Sequence, residues 1–154
     1  SFYDWADAAA QGPENGFYRL IKYDTSEAGI AIAPKPPRFS GRVWVVVGPD
    51  NSSATFEFAQ AVQLRKLGML VGEPTGGNQR GINGGAFLFM TLPGSGIELD
   101  VPLIAQFPAT PMPDAGLLPD LPAPETAATL AAGRDVALEA ILARIDRDRS
   151  TNGR

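Results

Sequence analysis

The feature that most constrains the fold is a short apolar run, Val43 to Val47, bounded by Gly41 and by the turn residues Gly48-Pro49-Asp50. The run is too short for a helix, and its nearly unbroken apolar character predicts a strand buried on both faces. Asn51, Ser52 and Ser53 follow, and these residue types favour turns and helix N-caps. The stretch therefore predicts a strand that turns sharply into a helix.

The residues after this turn predict a helix and a second strand. The helix covers Ala54 to Leu67 and the strand covers Met69 to Val71. Because apolar residues occupy more than one side of the helix, we predict that it is buried, with a broad apolar face formed by Ala54, Phe58, Ala61, Val62 and Leu64. A serine at such a turn lies at the carboxyl edge of the sheet, beside free backbone N–H groups that can hold an oxyanion.

Turn residues and periodicity predict the other elements. In order, these are a short helix, a hairpin, a glycine-rich loop, two paired strands, an extended proline-rich segment and a last helix capped by Asp135. The first five cover, in the same order, Phe2–Ala10, Gly16–Tyr23 with Gly29–Ala33, Gly72–Gly85, Ala86–Leu92 with Gly96–Leu103, and Pro108–Pro124. The loop holds six glycines in fourteen residues. Length predicts a single domain over residues 1–154, and the polar segment from Arg147 to Arg154 predicts a disordered tail.

Composition excludes several kinds of chemistry within these residues. The chain has 154 residues, a formal net charge of -4, no cysteine and no histidine. An acidic balance is not typical of nucleic-acid binding, and no apolar run approaches the roughly 20 residues that span a bilayer. Without histidine the chain cannot hold a complete Ser-His-Asp triad or a histidine-ligated metal. We predict no cofactor and no metal.

Ser53 is the candidate nucleophile, with the Ala54 N–H as an oxyanion donor. The alternative role is an ordinary N-cap, which Asn51 or Ser52 could equally supply. The loop from Gly76 to Gly81, with Gly76, Gly77 and Asn78 as candidate substrate-binding residues, could close over a substrate or bind an anion, or could be purely structural.

Three segments in order resemble the tail-specific (C-terminal processing) serine peptidases and their relatives with a tricorn-type core. They are Asn51-Ser52-Ser53-Ala54 before a helix, Leu70 to Gly77 (LVGEPTGG), and Gly116-Leu117-Leu118-Pro119-Asp120. The resemblance covers about Arg42 to Leu121. It implies an α/β fold of the crotonase-like kind, a peptide or protein substrate, Ser53 as nucleophile and Ala54 as oxyanion donor. It also implies an envelope or exported location, which the residues themselves do not indicate.

The chain departs from this family at the general base. The tail-specific branch has a lysine just after the glycine matching Gly77, where this chain has Asn78, and asparagine cannot accept the serine proton. The tricorn-like branch uses a histidine upstream of the nucleophile. We therefore predict that these residues are the C-terminal part of a catalytic domain, that the base comes from a missing N-terminal part of the same protein, and that Asp114 is the acid that orients it. The isolated chain should then be nearly inactive.

A second hypothesis is a non-catalytic module of the same fold that binds a ligand or peptide. Retinoid-binding repeats that resemble this peptidase family support it, and the apolar segments Ala86–Met90 and Leu103–Phe107 could line such a pocket. A third hypothesis is a structural pseudoenzyme that has lost its base.

Overall fold

The computed structural model describes residues 9–11, 18–20 and 33–152. Its contacts divide the chain into two compact units, Ser1–Ser40 and Gly41–Arg154. The sequence-based expectation of a single domain over residues 1–154 stays a prediction. None of the described helices is long and apolar enough to cross a membrane.

The first unit contains a small antiparallel pair of strands. β1 (Ala9–Gln11) pairs with β2 (Tyr18–Leu20), with Ala9 opposite Leu20. The predicted strand at Gly16–Tyr23 is therefore confirmed at its centre, whereas the helix predicted over Phe2–Ala10 is wrong at Ala9 and Ala10. Of the other predicted strand, Gly29–Ala33, all residues but Ala33 lie outside the described residues.

The second unit has mixed α/β structure, as the sequence predicted. Its elements, in chain order, are β3 (Trp44–Val47), α1 (Ser53–Leu64), β4 (Met69–Gly72), β5 (Ile82–Thr91), β6 (Glu98–Gln106), β7 (Leu121–Pro122), α2 (Ala127–Ala131) and α3 (Val136–Asn152). Strands β3, β4 and β7 form a parallel sheet in that order, and β5 and β6 form a separate antiparallel ribbon. The crotonase-like form of the fold stays a prediction.

The parallel sheet carries one apolar core on each face. On one face, α1 packs over the central strand, and the buried residues are Val47, Phe56, Ala59, Val62, Leu70 and Leu117. On the other face lies α3, and the buried residues are Val71, Ala123, Ala137 and Ile141. Successive side chains of a strand point to opposite faces, so Leu70 and Val71 belong to different cores. β4 is thus the strand covered on both sides.

β3 is less buried than the sequence predicted. Val47 is buried, but Val46 is 56% exposed and Val43 is also exposed. Trp44 and Val46 point to the same face of the sheet, the one that α3 covers. Trp44 packs against the core beneath α3, whereas Val46 remains uncovered. The expectation of a strand buried on both faces is therefore wrong at Val46, because an apolar run reports the potential for burial and not the presence of a covering element.

The buried face of α1 also differs from the predicted one. Phe56, Ala59 and Val62 are buried, at steps of three residues, whereas Phe58 and Leu64 are exposed. Because apolar residues occur around the whole helix, the pattern did not define its rotation about its own axis. The packing of Phe56 against the sheet decided it.

α1 ends at Leu64, three residues before the predicted end. The N–H of Lys66 donates to the Gln63 carbonyl, and the N–H of Leu67 donates to the Val62 carbonyl, at 3.1 and 3.0 Å. This is the Schellman arrangement, in which the residue after the cap is left-handed. Here that residue is Lys66, with φ of 53°.

The last helix begins as predicted and extends further. The Leu138 N–H donates to Asp135 Oδ1 at 2.9 Å, which confirms Asp135 as its cap. The helix continues past Arg147 to Asn152. Ser150 and Thr151 donate their hydroxyl groups to carbonyls one turn earlier, so polar residues of the predicted tail satisfy helical hydrogen bonds.

The glycine-rich loop is shorter than predicted, because β5 begins at Ile82 and includes the last glycines, Gly84 and Gly85. The pairing of β5 with β6 is irregular between Gly84 and Phe87, which indicates a β-bulge there. The ribbon therefore starts directly beside the first turn of α1, where a loop was expected.

Candidate functional site

A closed turn connects β3 to α1 and positions the serines. The Asn51 N–H donates to the Gly48 carbonyl at 3.0 Å, and the Gly48 N–H donates to Asn51 Oδ1 at 2.7 Å. These two bonds pin both ends of the turn, so Asn51 holds the turn and not the helix. The residues that follow are delivered at the carboxyl edge of the parallel sheet.

Ser53 is the first residue of α1 and has an unusual backbone conformation. Its φ is 53°, in the left-handed region that non-glycine residues rarely occupy. At a helix end such a value is ordinary, as at Lys66, but at a helix start no capping motif calls for it. Conformations of this kind cost about 1–3 kcal/mol and concentrate at functional sites. The side chain of Ser53 is exposed.

The N-cap position belongs to Ser52, and its side chain makes no cap hydrogen bond. Instead the Ser52 carbonyl accepts bonds from the Thr55 hydroxyl and the Phe56 N–H. The N–H groups of the first turn, including that of Ala54, have no helical acceptor by position. The start of α1 thus presents an exposed hydroxyl beside a free amide.

The glycine-rich loop packs tightly onto this turn. A Cβ atom on Gly76 would lie 2.2 Å from the Pro49 carbonyl oxygen, and one on Gly116 would lie 2.0 Å from the Thr75 carbonyl oxygen. Thr75 is buried, and it exchanges two bonds with Leu117, at 3.0 and 2.8 Å. Only glycine permits these approaches, so the loop and the segment before β7 are held against the serine turn.

A carboxylate lies at the far side of the loop. Asp114 accepts a bond from Asn78 Nδ2 at 2.5 Å on one oxygen and from Arg80 Nη1 at 2.8 Å on the other. Asn78 Oδ1 in turn accepts the Arg80 N–H at 2.8 Å. The hydrogen bond from Asn78, followed by the hydrogen bond and charge of Arg80, lowers the pKa of Asp114. The group is therefore anionic at neutral pH.

These residues surround one open cleft of about 590 Å³, which we call the Ser53 cleft. Its walls include Ser53, Gly77, Asn78, Arg80, Phe107 and Asp114. A smaller hollow of about 90 Å³, the Ala54 recess, lies on the other side of the ribbon base and is lined by Ser53, Ala54, Glu57, Gly84, Ile104 and Gln106. Ser53 borders both. A group attached to its oxygen could extend in two directions.

The structure brings together the predicted site residues Ser53, Gly77, Asn78 and Asp114 in the Ser53 cleft, and Ala54 lies in the adjoining recess. Gly76 is not among the residues that line this cleft and packs instead against the Pro49 carbonyl. Asp120 has a different place, because its Oδ2 accepts the Leu70 N–H at 2.8 Å and its Oδ1 accepts a bond from Gln63. It therefore ties β4 to α1.

From the sequence, Arg80 could bind a carboxylate or be an ordinary exposed arginine, and sequence reasoning missed both its partner and the place of Glu57 in the site. The contact of Arg80 with Asp114 joins residues 34 positions apart, and no local pattern reports such a pair. Glu57 lines the recess beside Ser53, and its position one helical turn later was the available signal. Within the described residues no group of three acidic, histidine or cysteine side chains could hold a metal ion.

We expect Asn78→Ala to raise the pKa of Asp114 toward its ordinary value of 3.8, because the Asn78 hydrogen bond is the largest cause of the lowering. The carboxyl carbon resonance of Asp114, followed by NMR against pH, measures this. Asn83→Ala, which changes an exposed asparagine of the same cleft, is the matched control. Because the pKa of Asp114 is lower in the folded protein, its ionised form stabilises the fold at pH values above the ordinary pKa. This contribution to the free energy of unfolding is lost as the pH falls through the pKa of the folded state. An unchanged pKa in Asn78→Ala would contradict the assignment.

An exposed serine at a strand-to-helix turn, beside free amides and a cleft, defines the class of serine-type hydrolytic sites. The family model for peptidase family S41 matches residues 7–111. The chain therefore belongs to peptidase family S41, and membership implies serine-type peptide hydrolysis with a protein substrate. Comparison with curated proteins and with solved structures gave no match.

Proposed function

We propose that the protein hydrolyses peptide bonds through an acyl-enzyme on Ser53. The observation that carries the proposal is the left-handed backbone of Ser53, which holds an exposed hydroxyl at the rim of the Ser53 cleft. In the proposed reaction the Ser53 oxygen attacks the carbonyl carbon of the substrate. The Ala54 N–H stabilises the oxyanion, and removal of one such donor typically costs about 10²- to 10³-fold in kcat.

The general base comes from outside these 154 residues. The chain has no histidine, and the lysine position of the tail-specific branch holds Asn78. Asn78 is also occupied with Asp114 and with the Arg80 N–H, which supports a structural role for it in the loop. A histidine supplied by another part of the protein, as in the tricorn-like branch, would take the serine proton and then deliver it to the leaving amine.

Asp114 is the proposed acid that orients this histidine. It borders the same cleft as Ser53 and is held anionic by its two partners. A carboxylate oxygen has two lone pairs, so each oxygen of Asp114 keeps an acceptor site after binding Asn78 or Arg80. Gly77 and Asn78 would contact the substrate from the loop side of the cleft.

The alternative function is a ligand- or peptide-binding module without hydrolysis. The observation that favours it is the exposure of apolar side chains on both faces of the ribbon, where Phe89 and Leu103 are more than half exposed. A binding module would retain the cleft but would have no need for the strained conformation of Ser53.

Labelling by a fluorophosphonate probe tests the proposal, because the labelling rate should depend on the general base that another part of the protein supplies. The isolated 154-residue chain should be labelled far more slowly than an active serine hydrolase, because nothing deprotonates Ser53. The full-length protein should be labelled on Ser53 at an ordinary rate, which peptide mass spectrometry locates. Rapid labelling of the isolated chain would show that the base lies within it, and labelling of neither protein would favour the binding module.

A further inference from the structure

The ribbon of β5 and β6 has two faces of different chemistry. Side chains alternate along each strand, and the register pairs Phe87 with Pro102 and Leu88 with Val101. One side, which we call the aromatic face, therefore carries Phe87, Phe89, Glu98, Asp100 and Pro102. The opposite side, the aliphatic face, carries Leu88, Met90, Leu99, Val101 and Leu103.

The aromatic face is continuous with the Ala54 recess. Gly84 is paired with Ile104, and Ile104 shares its face with Pro102 two residues away on β6. Both Gly84 and Ile104 line the recess together with Ser53 and Ala54. A polypeptide that leaves Ser53 through the recess would next meet Pro102 and Phe87. Residues on one face of a strand recur about every 6.7 Å, which is also the repeat of an extended peptide.

The aromatic face has the composition of a binding surface. Phe87 and Phe89 are 45% and 61% exposed, and their rings stack with centroids 6.3 Å apart. The carboxylates of Glu98 and Asp100 are exposed on the same side. Aromatic anchors bordered by charge are typical of surfaces that bind partners and remain soluble when empty. The five residues of the aliphatic face are exposed as well, but none of them is charged.

We propose that the aromatic face binds an extended segment of the substrate polypeptide. We number the substrate residues from the one that lies beside Ile104. The substrate side chain two positions further along lies over Phe87, the one four positions further along lies over Phe89, and both are bulky and apolar. A basic residue follows two positions later, opposite Glu98. The assignment rests on the proposed function, because it takes Ser53 as the point of attack.

Peptide binding to the full-length protein carrying Ser53→Ala tests this assignment without hydrolysis. The probe is a fluorescein-labelled extended peptide with two leucines at alternate positions followed by arginine, and fluorescence anisotropy gives its Kd. We expect Phe87→Ser to weaken binding about tenfold or more, as for loss of an aromatic anchor. Leu88→Ser, the neighbouring residue on the aliphatic face, is the matched control and should change Kd about twofold or less.

Changes in the peptide test the same contacts without any effect on folding. Serine at both leucine positions should weaken binding about tenfold, and glutamate in place of arginine should weaken it further because it faces carboxylates. Equal Kd values for the three peptides, or a loss caused by Leu88→Ser alone, would overturn the proposal. A change of oligomeric state in Phe87→Ser with unchanged Kd would assign the face to self-association instead. This assay measures binding and needs no hydrolysis. It therefore tests the aromatic face even if a separate kinetic experiment shows that Ser53 is not the nucleophile.

Discussion

Replacing Ser53 by alanine should lower kcat for peptide hydrolysis by about 10⁴- to 10⁶-fold in the full-length protein, because the proposed acyl-enzyme forms on the Ser53 hydroxyl. Ser53 is exposed, borders the Ser53 cleft and lies beside the free amide of Ala54. Alanine has a Cβ atom, so the variant keeps the steric demands of the turn and removes only the hydroxyl. The KM should change little, since the oxygen contributes to the transition state and not to ground-state binding.

Ser52→Ala is the matched control for this experiment. Ser52 is adjacent, exposed and also a serine, but its side chain makes no cap hydrogen bond. Its removal should change the free energy of unfolding by about 0.5 kcal/mol or less, with most of the turnover retained. Steady-state kinetics on a peptide substrate measures both variants. Unchanged turnover in Ser53→Ala would remove this residue from the mechanism, and equal losses in both variants would indicate disruption of the turn instead.

Replacing Phe56 by alanine should lower the free energy of unfolding by about 3–5 kcal/mol. The ring is 1% exposed and lies in the core between α1 and the sheet. Its removal leaves a cavity that the surrounding strands cannot fill. Small domains have free energies of unfolding of about 5–15 kcal/mol, so this one substitution removes a large part of the total. Urea denaturation followed by circular dichroism measures the loss.

Phe58→Ala is the matched control on the same helix. Its ring is 58% exposed, so its removal should cost about 0.5 kcal/mol or less. Phe56→Ala should also reduce labelling of Ser53, because a Cβ built on Gly77 would lie 3.0 Å from the Phe56 ring, which shows how closely the loop rests on it. Similar losses in the free energy of unfolding for the two variants would contradict the orientation of α1 in which Phe56 faces the core and Phe58 faces solvent.

Local pattern was sufficient for the order of elements around the site. The apolar run before Gly48, the turn residues through Asn51 and the cap at Asp135 each act over a few residues, and each produced the element that was predicted. The same locality explains the choice of Ser53, since a strand-to-helix turn can be recognised without knowledge of what packs around it.

Long-range packing decided what local pattern could not. Whether Phe56 or Phe58 enters the core depends on the sheet beneath α1, and the helix itself is apolar on several sides. The exposure of Val46 depends on where α3 ends its cover of the sheet. Gly84 and Gly85 locally favour a loop, but both lie in β5. Gly84 pairs with Ile104 of β6, and Gly85 lies in the irregular step between Gly84 and Phe87.

The sequence alone determined that a serine follows an apolar strand at the start of a helix, and that these residues hold no histidine to activate it. These are facts of composition and short-range order. The tertiary structure decided that Asn78 and Arg80 hold Asp114 across the cleft, and that Ser53 adopts a left-handed backbone. The contacts of Asp114 join segments far apart in the chain, and the close approach of Gly76 and Gly116 to neighbouring backbone allows those segments to pack together.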